Sequence, residues 1–80
     1  MTNQFIIYML TSSSLQLIAG SGGSVIVNAN EYTSSSLQLI ANAGKAKGAN
    51  LIIRNANKLT SSSCQLIASA NPGHVYFDFT

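Results

Sequence analysis

Charge is scarce in this chain. Lys45, Lys47, Arg54 and Lys58 stand against Glu31 and Asp78, about 8% of 80 residues, where a globular domain averages roughly 25%. The net +2 excludes a committed nucleic-acid binder, which displays a dense basic patch; here four cations sit on different elements without an aromatic platform. Cys64 is the only cysteine, which excludes a disulfide scaffold and leaves the redox compartment open. With one cysteine and one histidine, His74, the usual ligand sets of zinc cannot be assembled. No cofactor is expected. Nor does any run approach the ~18 consecutive apolar residues of a membrane span. Intrinsic disorder is excluded from the other side, because hydrophobic residues make up 46% of the chain and disordered chains combine low hydrophobicity with high charge. Eighty residues accommodate one small domain.

The first residues, MTNQFIIYMLTSSSLQLIAGSGG, imitate a signal peptide. They lack a basic leading region, and the apolar run Phe5 to Leu10 is cut by Thr11-Ser12-Ser13-Ser14. The stretch TSSSLQLIA also returns unchanged at 33–41, where no signal peptide can be. The first copy therefore belongs to the fold, and a soluble, cytoplasmic chain is expected.

What the chain does have is repetition, which is sought before local structure. The block at 11–19 recurs at 33–41, and again at 60–68 with Cys64 in place of the first leucine. An apolar run precedes each copy: Phe5-Ile6-Ile7-Tyr8, then Val25-Ile26-Val27-Asn28-Ala29-Asn30, then Leu51-Ile52-Ile53-Arg54-Asn55-Ala56-Asn57. A fourth run, His74 to Phe79, follows the last copy. This divides the domain into units at about 4–23, 24–48 and 49–73, closed by a strand over 74–79.

Each TSSS block reads as a helix start, since Ser and Thr hydroxyls accept hydrogen bonds from the free amides of a first turn. Ser13 to Gln16, Ser35 to Gln38 and Ser62 to Gln65 fit the S-x-x-Q capping box. Leu15, Ile18 and Ala19, like Leu37, Ile40 and Ala41, then fall at helical spacing. Gly20, Gly44 and Gly73, the last behind Pro72, supply stops. The second unit carries about one more turn, through Ala43 to Lys47. The intervening runs, rich in Val, Ile, Phe and Tyr, read as strands.

Alternation of strand and helix predicts an α/β fold with right-handed crossovers. The expectation is three strand–helix repeats plus a final strand, giving a four-stranded parallel sheet in order 1-2-3-4 with all helices on one face: a short α/β solenoid. A β-solenoid without helices is the alternative architecture. Leu51-Ile52-Ile53-Arg54-Asn55-Ala56-Asn57-Lys58-Leu59 loosely resembles a leucine-rich repeat, although Arg54 falls where that pattern has an apolar residue. The resemblance implies a protein-binding surface. Leu15, Ile18, Leu37, Ile40, Cys64 and Ile67 should be buried against Val25, Val27, Leu51, Ile53, Val75 and Phe77.

Catalytic chemistry has little to draw on. His74 and Asp78 are four residues apart in a strand, roughly 13 Å, too far for a hydrogen-bonded dyad. The serines belong to a block repeated three times, whereas a nucleophile normally occurs once. Gly20-Ser21-Gly22-Gly23-Ser24 follows a helix and precedes a strand, the reverse of a phosphate loop. Cys64 occupies an apolar helix position and reads as a small core residue. No enzyme is expected.

Two functional readings remain. Strand alternation sends Ile6, Tyr8, Ile26, Ile52 and Tyr76 to the helix-free face, with Arg54 and Asp78 paired there on adjacent strands. Parallel sheets are usually covered on both faces, so this face or the edge strands should mediate self-association, most simply a dimer. A protein partner fits the same surface; nucleic acid and membrane do not. The alternative is an anion or sugar-phosphate edge where strands end and helices begin, comprising Ser13, Ser35, Ser62, Asn28, Asn30, Asn55, Asn57 and Lys58. The same asparagines could instead form a structural ladder across equivalent turns.

Overall fold

A computed structural model describes residues 10–80. In chain order its elements are α1 (Ser12–Gly20), β1 (Val25–Asn28), α2 (Ser34–Ala43), a 3₁₀ turn (Lys45–Lys47), β2 (Leu51–Arg54), a second 3₁₀ turn (Ala56–Lys58), α3 (Ser61–Ala70) and β3 (Val75–Phe77). The class is α/β, with three helices and a three-stranded parallel sheet in order β1-β2-β3. The leading strand expected over 5–10 lies outside the described residues, apart from Leu10, which is not in a strand.

The helices begin where the TSSS blocks predict, but the cap is the threonine. Thr11, Thr33 and Thr60 hold extended backbone, with φ of −69°, −74° and −76°. Their hydroxyl oxygens accept from the amides of Ser14, Ser36 and Ser63 at 3.2, 3.1 and 3.1 Å. The same hydroxyls donate to the Oγ of those serines, at 3.1 Å each time. Serine therefore fills the place that glutamate or glutamine takes in a capping box. Ser13, Ser35 and Ser62 become the second residue of each helix and cap nothing. Thr-Ser-Ser-Ser holds four residues of capping type in a row, and only the helix direction set by packing selects among them. Just ahead of each cap sits Leu10, Tyr32 or Leu59, placed to staple against the fourth helical residue, Leu15, Leu37 or Cys64. Tyr32 and Leu59 are partly buried against the core.

The stops differ from expectation in detail. Gly20 is the last residue of α1, and Ser21 is its C-cap. Gly44 does cap α2. The extra turn of the second unit is the separate 3₁₀ segment, closed by Gly48 at φ +69°. Gly73 lies in the turn beyond α3, whose C-cap is Asn71.

The strands pair in register Val25–Leu51–Val75, Ile26–Ile52–Tyr76 and Val27–Ile53–Phe77. The last strand is shorter than 74–79, yet its ladder runs on: Asp78 N donates to Ile53 O at 2.8 Å, and Ala56 N to Asp78 O at 2.9 Å. A regular parallel ladder would use the amide of Asn55 there. Asn55 is instead skipped, in the left-handed conformation at φ 57°, ψ 36°. That accounts for a sequence offset of 26 in the strands (Leu51 against Val25) but 27 in the N-A-N that follows (Asn55 against Asn28). The third unit carries one extra residue at this bend.

The helices lie side by side over the sheet face that carries Val27, Leu51 and Ile53. Leu15, Leu37, Ile40, Ala41 and Ile67 complete the core, with Val25, Val75 and Phe77 half-buried against it. Two residues depart from the expected core. Cys64 is only half-buried, because its helix is the last in the layer. Ile18 is exposed, in the first of the described helices.

Candidate functional site

Side chains tie the strands together at both ends. At the amino ends, Ser24, Asn50 and His74 directly precede the three strands. Ser24 Oγ accepts from Asn50 N at 3.0 Å, and Asn50 Oδ1 lies 2.9 Å from His74 Nδ1. Beside them Asn71, the one buried polar residue of the described core, donates from Nδ2 to Ala49 O at 3.0 Å. At the carboxyl ends, Asn28 Oδ1 accepts from Asn55 Nδ2 at 3.1 Å and from Asn30 N at 2.9 Å. Asn28 and Asn55 thus make the cross-strand bridge expected of a ladder. Asn30 contributes its amide, and Asn57 and Lys58 stand exposed on the 3₁₀ turn.

A cavity of about 810 Å³ opens at this carboxyl end. Asn28, Glu31, Arg54, Asn55, Asp78 and Thr80 form its polar wall; Leu10, Leu15, Ile26, Val27 and Tyr32 line the rest. The strand register places Arg54 and Asp78 next to one another on the same side. The Asp78 carboxyl is held below the ordinary range, first by the Thr80 hydroxyl that donates to it, then by the Thr80 amide, with the Arg54 guanidinium adding to both. Of the residues of the expected anion edge, the cavity gathers Asn28 and Asn55. Ser13, Ser35 and Ser62 lie on the exposed first turns of their separate helices.

The sheet face away from the helices is apolar in its central row. Ile26 and Tyr76 are exposed and flank a half-buried Ile52; Asn28, Arg54 and the Asp78 position follow in the next row, since side chains of one strand face alternate. Five residues of the expected interface, Ile26, Ile52, Arg54, Tyr76 and Asp78, therefore share one surface. Ile6 and Tyr8 lie outside the described residues. His74 and Asp78 stand at opposite ends of β3, which keeps them from acting as a pair.

A second apolar row is one that sequence reading missed. Leu17, Leu39 and Leu66 occupy the same place in the three helices and are all exposed. Their signal was present, since each copy of LQLI or CQLI places a leucine off the inward i, i+3, i+4 set. No helix among the described residues is long and apolar enough to cross a membrane. The chain matches no protein-family model, no curated protein and no solved structure.

Proposed function

We propose that this chain is a non-catalytic interaction module that self-associates, with the helix-free face of its sheet as the contact. The observation that carries the reading is the row Ile26–Ile52–Tyr76, two of its three members exposed on a parallel sheet. Parallel sheets are ordinarily covered on both faces, and the helices among the described residues pack on the other one. Arg54 and Asp78 beside the row supply opposite charges that a two-fold axis would bring across from one another, an arrangement that sets register more than affinity. In this reading the three helices and the strands between them form a short α/β solenoid. A dimer is the simplest closed assembly; pairing through the outer edge of β3 is the variant that would extend it.

Light scattering across a concentration series tests this. A mass of twice 8.4 kDa at high micromolar concentration, reduced to the single-chain mass by Ile52→Glu, is the expected result. A single-chain mass throughout, unaltered by that substitution, would end the proposal.

A second reading is supported by one feature, the Arg54 guanidinium beside the Asn28–Asn55 bridge at the strand ends, a place where open α/β sheets receive ligands. In that reading the cavity takes a small anion or sugar phosphate. Titration with inorganic phosphate should then shift the amides around Asn28, Arg54 and Asn55; an unshifted spectrum at millimolar phosphate would dismiss it.

A further inference from the structure

We propose that the outer edge of β3 pairs with the same edge of a second copy, antiparallel about a two-fold axis through Tyr76, joining the two sheets into one. This contact goes beyond the helix-free face proposed above and does not depend on it.

The last unit ends in surfaces that the earlier units bury. Leu15 and Ala19 of α1, and Leu37 and Ala41 of α2, are buried; the equivalent Cys64 and Ala68 of α3 are half-buried. In the sheet, β2 is paired on both sides, whereas no described strand pairs with the outer edge of β3. Leu51 N donates to His74 O and Asp78 N to Ile53 O, at 2.8 Å each, so the ladder to β2 runs through His74, Tyr76 and Asp78. Alternation turns the amides and carbonyls of Val75 and Phe77 outward. Residues 73–80 hold no lysine or proline, the residues that ordinarily guard an edge against pairing.

The strand fits its own reverse. With Tyr76 on the axis, Val75 stands opposite Phe77 of the second copy and exchanges two hydrogen bonds with it. The symmetric pair does the same, so every outward amide and carbonyl of these residues is used. Tyr76 then meets its own equivalent, and His74 meets Asp78 of the second copy, both in the closer setting of ~4.5 Å between Cα atoms. Unlike groups placed directly opposite favour such pairing, and like charges oppose it.

The ends of the strand suit this register. Thr80 donates to Oδ1 of Asp78 through both its amide and its hydroxyl, and Oδ2 meets no hydrogen-bond donor among the described residues. Within one chain His74 and Asp78 lie about 13 Å apart along the strand; the two-fold gives each the other. Beyond them the same register brings Phe79, exposed and stacked on Phe77, to Gly73 of the second copy, where a Cβ would meet nothing within 4 Å. A five-residue edge buries less than the roughly 1,600 Å² of a standard interface, so this pairing belongs to high protein concentration.

Nuclear magnetic resonance of the unmodified chain at near-millimolar concentration tests this. Residues opposed in the closer setting bring their α-protons together, so a contact between the α-protons of His74 and Asp78 is expected, and it can arise only between copies. On dilution to micromolar concentration the contact should vanish, and the Val75 and Phe77 amides should exchange with solvent about fivefold faster. Absence of the contact at near-millimolar concentration, or exchange at Val75 and Phe77 that ignores concentration, would overturn the proposal. The face contact answers to a different measurement, the response of mass to Ile52→Glu, so either contact can fail while the other stands.

Discussion

Thr33 fixes where its helix begins. Its hydroxyl both accepts from the Ser36 amide and donates to the Ser36 hydroxyl. Thr33→Ala should lower stability by about 1 kcal/mol, the usual cost of a lost N-cap, whereas Ser35→Ala, one turn position away and exposed, should be nearly silent. Denaturant titration of the two variants separates the true cap from the one that the S-x-x-Q spacing suggests. Asn55 is constrained differently: at φ 57° it pays steric strain that asparagine tolerates and alanine does not. Asn55→Gly should lose chiefly the bridge to Asn28, and Asn55→Ala should melt lower than Asn55→Gly. Asp78 brings pH dependence. Its carboxyl titrates below its unfolded value, so its contribution is present above about pH 4 and is lost as pH falls through the folded value. Melting temperatures of wild type and Asp78→Asn should differ most near neutrality and converge in acid.

At the scale of the element, the middle helix bears the core. Leu37 and Ile40 lie under α2 between its two neighbours and are fully buried. Leu37→Ala or Ile40→Ala should cost ~2–5 kcal/mol through lost transfer energy and the cavity left behind, a large part of the stability of so small a domain. Thermal melts check this, and an unchanged melting temperature in either variant would refute the packing described. Asn71 does comparable work for the connection between α3 and β3. Its amide satisfies the Ala49 carbonyl at the turn before β2, and Asn71→Ala should cost about 1–3 kcal/mol by leaving that group unpaired.

For the whole molecule, self-association couples stability to concentration. If the Ile26–Ile52–Tyr76 row is a contact, folded chains are stabilised by mass action, and the melting temperature should rise with protein concentration. Ile52→Glu should flatten that dependence, because it places a charge on the row while leaving the opposite, helix-covered face untouched. Calorimetry at micromolar and near-millimolar concentration provides the comparison.

Helix positions, the α/β class and the parity of each strand were legible in the sequence. Repetition repeats local causes: three TSSS blocks make three caps, and alternation in Val-Ile-Val and Leu-Ile-Ile sets which side chains face the helices wherever a strand forms. The Asn28–Asn55 bridge was legible for the same reason, as equivalent residues in successive turns. Location within the stack was not. Ile18 and Ile40 have identical local sequence, and Cys64 stands where Leu37 does, but burial depends on neighbours on both sides and end units have one. Asn71 gave no sequence signal, because a buried amide is recognised only by the carbonyl it meets, here 22 residues away. The cavity, too, belongs to tertiary structure: Arg54 and Asp78 meet Leu10 and Tyr32 only after strand register and helix packing have brought four separate segments to one corner.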